Sequence, residues 1–140
     1  MRVARLVSTL LLPLAAAIVP AAGMAEGAYP ERPVTVIVPQ GAGGANDVIA
    51  RIVTQKMSQL LGQSVVVDNR PGAGGTIGTA LAAKTAPDGY TLLLTSDSAH
   101  VINPGLYKQI GFDPIKSFTP IGTVATAGYV LVANPAFPPN

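Results

Sequence analysis

The sequence predicts a parallel α/β lobe, and three observations predict it. Val34-Thr-Val-Ile-Val38 is an apolar β-branched run that ends in the glycine corner Gln40-Gly-Ala-Gly-Gly44 and opens a helix. The same design repeats at Val65-Val-Val67, which ends in the corner Arg70-Pro-Gly-Ala-Gly-Gly75. A third run, Tyr90-Thr-Leu-Leu-Leu-Thr95, follows the second helix. Short runs that are apolar on both faces are characteristic of strands buried in a parallel sheet. Helices between them carry the chain across in right-handed crossovers. Ligands of such sheets bind beyond the carboxyl ends of the strands. Both glycine loops and the Thr95-Ser96 strand end belong to that edge.

In chain order, residues 1–25 read as a secretory signal peptide rather than as part of the fold. Arg2 and Arg5 form a positive start, Leu6 to Val19 is mostly apolar but broken by Pro13, and Gly23-Met-Ala25 offers small residues for cleavage. The run is short for a stable span of about 20 residues. Two of the nine Lys and Arg lie in this segment, so the remaining seven balance seven Asp and Glu. The mature chain is near neutral, and its expected location is the periplasm.

Residues 26–118 are expected to form the lobe. After a proline-bearing lead-in, the first strand covers residues 34–38 and Pro39 ends it. A helix starts at Asn46 or Asp47, where an acid suits the helix dipole. Ile49, Ile52, Val53, Met57, Leu60 and Leu61 recur at helical spacing and predict its buried face, with Arg51, Lys56 and Gln59 off it. Gly62 is a C-terminal stop. The second strand is expected over residues 64–67 and the second helix from Thr76 to about Lys84. Pro87-Asp-Gly89 is a turn, and the third strand covers residues 90–95. Phe112-Asp-Pro114 and Phe118-Thr-Pro120 read as irregular surface. Residues 119–140 carry a further apolar run, Tyr129-Val-Leu-Val-Ala133, expected as a strand.

Composition excludes several functions. The chain has no Cys and one His, His100, which rules out disulfides, thiolate metal sites and a multi-histidine zinc site. No metal or cofactor is therefore expected. Charged residues are 11% of the chain and Trp is absent, so the basic stripe and stacking side chains of a nucleic-acid binder are missing. Gly41-Ala-Gly43-Gly44-Ala-Asn46 invites a dinucleotide reading, with Asp68 placed 24 residues beyond Gly44 as a ribose acid. The pattern fails where its last glycine should stand, at Asn46. Ser96 and Ser98 lack the G-x-S-x-G setting of a nucleophile, and His100 has no assigned partner. Nothing here asks for an enzyme.

What remains is anion binding. A glycine loop at a helix start presents backbone N–H groups, and the dipole favours negative charge. Gly72 and Gly78 are explained by a tight turn and by close helix packing. The adjacent Gly74-Gly75 pair is expected to leave N–H groups open to a ligand. Thr76 is a cap or a ligand contact. Asp47 serves its own helix or touches ligand.

These residues resemble a known family. Pro39-x-x-x-Gly43-Gly44-x-x-Asp47-x-x-Ala50-Arg51, Val65-Val-Val-Asp-Asn-Arg-Pro-Gly-Ala-Gly-Gly75-x-x-Gly78, Ala86-Pro-Asp-Gly-Tyr-Thr-Leu92 and Asn103-Pro-x-Leu-Tyr107 look like the Bug family. Its members are extracytoplasmic solute-binding receptors of tripartite tricarboxylate transporters. The resemblance covers Tyr29 to about Pro135. It implies one lobe of a two-lobed, periplasmic binding protein type II-like fold that closes on a small organic acid. It also implies partnership with two membrane transporter subunits, and the chain is expected to act as a monomer. Carried over onto this sequence, the ligand carboxylate is held by Gln40, Gly43, Gly44, Asn46 and Asp47 of the first loop and by Gly74, Gly75, Thr76 and Ile77 of the second. Thr95 and Ser96 form the third wall. Gln40 stands where the family often carries an aromatic. Family members are about twice as long, so most of the second lobe is expected to be missing, and a core this incomplete is expected to be marginally stable. An exported ligand-sensing module would use the same cleft, and a dinucleotide-binding enzyme fragment is the remaining alternative.

Overall fold

A computed structural model describes residues 29–137. The expected signal peptide and the terminal Pro138-Pro-Asn140 lie outside the described residues. The elements are β1 (Val34–Val38), α1 (Ala45–Leu61), β2 (Val65–Asn69), α2 (Thr76–Ala82), β3 (Thr91–Leu93) and α3 (Asn103–Leu106). The three strands form one parallel sheet in the order β2-β1-β3. The α/β lobe expected from the sequence is therefore present.

β1 is central because it can be buried on both faces and both edges. Val34, Val36, Ile37 and Val38 are all buried. Val34, Val36 and Val38 join Ala50 and Val65 in the main core, with Met57, Leu61, Val67, Leu92 and Leu94 packed against it. Side chains alternate across a strand, which sends Ile37 out of that cluster. α1 packs on β1 and β2, while α2 packs on β1 and β3. The strand order reverses direction between β1 and β3, so the loops leaving these two strands part to opposite sides. That is the topological switch point where such sheets open a crevice.

Several boundaries differ from the sequence expectation. β2 runs on to Asn69, because Asp68 and Asn69 pair with Ile37 and Val38. β3 is shorter than expected, pairing only Thr91 to Leu93 with Thr35 to Ile37. α2 stops at Ala82, and the N–H groups of Lys84 and Thr85 close tight turns onto Leu81 O and Ala82 O. On α1 the buried stripe is Asp47, Ala50 and Thr54, continued by Met57 and Leu61. This rotates Ile52 and Leu60 into solvent, contrary to the apolar spacing. Gly62 ends α1 in the left-handed region, φ +67°, with its N–H on Ser58 O.

The expected strand at residues 129–133 does not form. Its segment is irregular, and Leu131 is fully exposed while Tyr129, Val130 and Val132 are more than four-fifths exposed. A strand needs a neighbour for its backbone groups, and no described strand lies beside it.

The opposite edge of the sheet is closed by the lead-in. Tyr29 donates to Gly89 O at 2.6 Å and meets the Tyr90 ring edge-on at 5.1 Å. The Arg32 guanidinium sits 3.8 Å above the Tyr90 ring and pairs with Asp88 at 2.8 Å. This clasp leaves the carboxyl edge as the open one.

Candidate functional site

The first loop is shaped by a brace that starts inside α1. Asp47 is 2% exposed, yet charged. Its Oδ2 accepts from Gly43 N–H at 2.9 Å and from Arg51 Nε at 2.9 Å, and its Oδ1 accepts from Asn69 Nδ2 at 3.0 Å. The Arg51 side chain, then Gly43 N–H and the Asn69 amide, hold the Asp47 carboxyl well below the usual carboxylate range. A buried charge is tolerated only when paired and hydrogen-bonded in this way. Asn69 also donates to Gln40 O at 3.2 Å and accepts from Arg51 at 3.3 Å. One amide at the end of β2 thus fixes both ends of the loop.

The consequence is a helix start with unspent donors. α1 has no side-chain cap, since its first-turn acid is turned back onto the loop. Val48 N–H makes the first helical bond, to Gly44 O. The N–H groups of Ala45, Asn46 and Asp47 have no acceptor among the described residues, as expected at an uncapped helix start. Arg51 offsets the Asp47 charge that would otherwise repel an anion there.

The second loop is built differently from the expectation. Gly72, Gly74 and Gly75 have φ of +134°, +62° and +95°, and Ala73 joins them at +45°. Left-handed conformations are easy for glycine and strained for alanine. Three N–H groups of this loop are spent on its own carbonyls, Gly75 and Ile77 on Gly72 O at 2.9 and 3.5 Å and Thr76 on Ala73 O. The glycine pair therefore does not offer an open row of donors. Its smallness serves proximity instead. A Cβ on Gly75 would stand 2.8 Å from Ala99 Cβ, 3.4 Å from Pro39 O and 3.5 Å from Gln40 Nε2. The loops after β1, β2 and β3 all meet at Gly75. Gly78 is packing, as the sequence implies, since its Cβ would lie 2.5 Å from Arg70 O and 2.8 Å from Pro39 Cβ.

The ends of β1 and β3 are tied to each other at the switch point. Gln40 Nε2 donates to Ser96 Oγ at 3.4 Å, joining the ends of β1 and β3. Gln40 Oε1 and Thr95 Oγ1 are buried without a partner among the described residues. Ile77 is exposed beside the loop, and Asn46 is half-buried on the first turn of α1. Gln40 and Ser96 thus meet beside Gly75, with Thr76 and Thr95 next to them in the chain and Gly44 at the start of α1.

Three participants escaped the sequence reading. Asn69 and Arg51 form the brace, and buried Asn103 clamps the second loop, donating to Gly74 O at 2.9 Å and Thr76 Oγ1 at 3.1 Å. A polar residue closing an apolar strand was the available signal for Asn69, and the Asn-Pro pair opening α3 was the signal for Asn103. His100 is a packing residue on the far side of this turn. Its Nε2 lies 2.8 Å from Pro114 O, and its ring packs against Phe112 and Phe118. Among the described residues no cluster of three acidic or histidine side chains could hold a metal. A depression of about 530 Å³ lies along the outer edge of β2 at Ser58 and Gly62 to Val66. It is an open trough remote from the glycine loops.

Comparison with known proteins places this architecture. Residues 49–140 match the tripartite tricarboxylate transporter family receptor. Protein BugT of Bordetella pertussis is 45% identical over 116 residues, which are 82% of this chain and 36% of BugT. MatC from Rhodopseudomonas palustris, solved with bound malate, is 40% identical with a TM-score of 0.63, over 66% of this chain and 31% of its own. Rpa4515 of R. palustris, solved with adipate, is 40% identical with a TM-score of 0.59, over 61% and 29%. The chain spans well under half the length of the relatives it matches.

Proposed function

Because this chain belongs to the tripartite tricarboxylate transporter receptor family, we propose that it binds the carboxylate of a small organic acid at the open edge of its sheet. It is a binding protein and not an enzyme. The carboxylate sits between Gln40, Gly43, Gly44 and Asn46 of the first loop, Gly74, Gly75, Thr76 and Ile77 of the second, and Thr95 and Ser96 at the end of β3. Asp47 acts through the loop it braces. Malate and adipate in the related structures are both carboxylates, and they support this ligand class. In the exported protein the bound acid is delivered to the membrane subunits of the transporter, with the receptor working as a periplasmic monomer.

One observation carries the reading. The first turn of α1 leaves three N–H groups unspent, and its own acid is neutralised by Arg51. A carboxylate there receives charge-assisted bonds without a cationic side chain. The test is a thermal melt of the chain with malate, adipate and citrate. At one hundred times Kd a ligand adds about 2.7 kcal/mol, which at roughly 4 °C per kcal/mol raises Tm by about 11 °C in a domain of this size. A cooperative melt unmoved by every acid at millimolar concentration overturns the proposal.

A further inference from the structure

The segment after β3 contributes a residue to the site that neither glycine loop contains. Asn103 opens α3, is 6% exposed, and reaches 29 residues back along the chain to Gly74. Its amide orientation is decided by its surroundings. Gly74 O, 2.9 Å away, can only accept, so the Nδ2 side of the amide must face it. The same Nδ2 group donates to Thr76 Oγ1 at 3.1 Å. Both of its protons are then committed, one to each loop atom.

This has a consequence for Thr76. A hydroxyl offers one proton and accepts through its lone pairs. The Asn103 amide occupies one lone pair of Thr76 Oγ1. Thr76 is 7% exposed, and its hydroxyl donates to no acceptor among the described residues. A buried hydroxyl normally spends its proton. Here it remains unspent, on the residue that follows Gly75, and Gly75 is where the second loop meets Gln40 and Ala99.

We propose that Asn103 is a positioning residue of the carboxylate site, which sets the Thr76 hydroxyl as a donor to the ligand and holds the Gly74 peptide in its left-handed conformation. The inference rests on the proposed carboxylate reading and extends it to the turn after β3. Hydrogen bonds in sequence polarise one another, so the Asn103 to Thr76 bond strengthens the donor that the ligand receives. Ligand affinity then depends on a side chain that makes no ligand contact.

A double-mutant cycle on the whole chain tests this, with malate, adipate and citrate as titrants. Asn103→Ala is expected to weaken binding about tenfold in the Thr76 background. In the Thr76→Val background, where no hydroxyl remains to orient, the same change is expected to weaken binding less than threefold. Contacting residues show such non-additivity, while independent ones do not. Asn103→Asp, which keeps the shape but loses the donor, is expected to follow Asn103→Ala. Equal losses in both backgrounds, or an Asn103→Asp chain that binds as the parent does, overturn the positioning role and leave the carboxylate site standing. Absence of binding by the parent chain to any of the three acids removes both proposals together. Circular dichroism and urea unfolding of each variant separate loss of fold from loss of affinity. If Asn103→Ala does not fold, the Asn103→Asp comparison decides.

Discussion

Asn69 donates to Asp47 Oδ1 at 3.0 Å, joining the end of β2 to the first turn of α1 across 22 residues of chain. The bond explains how a buried carboxylate can sit beside a proposed anion site. Asp47 is neutralised by Arg51 and saturated by Gly43 and Asn69, so its charge is turned inward to the loop. Removing Asn69 strips one oxygen of its partner. Asn69→Ala is expected to lower the urea midpoint clearly more than Asn69→Ser, which retains a short polar group. Equal midpoints for Asn69→Ala and the parent chain would remove the brace from the account.

The same carboxylate makes stability depend on pH. Its folded-state pKa lies below the unfolded Asp value of about 3.9. A depressed carboxyl contributes stability that is fully present above the unfolded value and is lost as pH falls toward the folded one. The parent chain should therefore lose stability steeply from about pH 4 downward. Asp47→Asn should be less stable at pH 6 and show a flatter slope below pH 4. Denaturant midpoints at pH 6, 4 and 3 check this, and parallel slopes for the two chains would contradict it.

Two glycines predict opposite outcomes for one substitution. A Cβ on Gly78 meets Arg70 O at 2.5 Å, whereas one on Gly41 meets nothing within 4 Å. Gly78→Ala is expected to destabilise by about 2 kcal/mol through overpacking. Gly41→Ala is expected to stay within about 1 kcal/mol of the parent, or to stabilise slightly by restricting the unfolded chain. Urea unfolding compares them directly.

Gly75 separates binding from folding less cleanly, and its test is functional. At φ +95°, with Ala99 Cβ 2.8 Å from an added Cβ, Gly75→Ala pushes the turn after β3 away from the first loop. The ligand-induced Tm shift is expected to disappear. A variant that still melts cooperatively and shifts by the parent's amount would show that the meeting of the three loops is irrelevant to binding.

The exposed apolar segment makes a fifth claim. Leu131 is fully exposed, so Leu131→Lys should change unfolding free energy by no more than about 0.5 kcal/mol. A larger loss would mean that this segment packs on the lobe in solution.

The strand–glycine–helix rhythm made the parallel sheet legible from residue order alone. Val34 to Val38 has one physical solution, burial on both faces between two further strands. Gly62 and Gly78 were likewise readable, because a helix stop and a close packing approach both demand a missing Cβ locally. The apolar spacing of α1 misled at Ile52 and Leu60, since the helix turns its small residue Ala50 and polar Thr54 to the sheet. Close approach to a strand favours small side chains over large ones there. The run at Tyr129 to Ala133 has strand composition, but pairing is a property of two segments, and no described neighbour supplies the second.

The sequence by itself determined that the chain builds a sheet whose carboxyl edge carries two glycine corners, because backbone freedom and apolar period are local properties. Tertiary structure decided which groups at that edge are free to act. Asp47 became a brace when Asn69 arrived from β2, Gly75 became a junction when Ala99 arrived from the turn after β3, and Thr76 gained a donor when the Asn103 amide arrived from α3. Each of these is a hydrogen bond or contact between residues distant in the chain. Their partners are chosen by the order β2-β1-β3, which brings the three strand ends together.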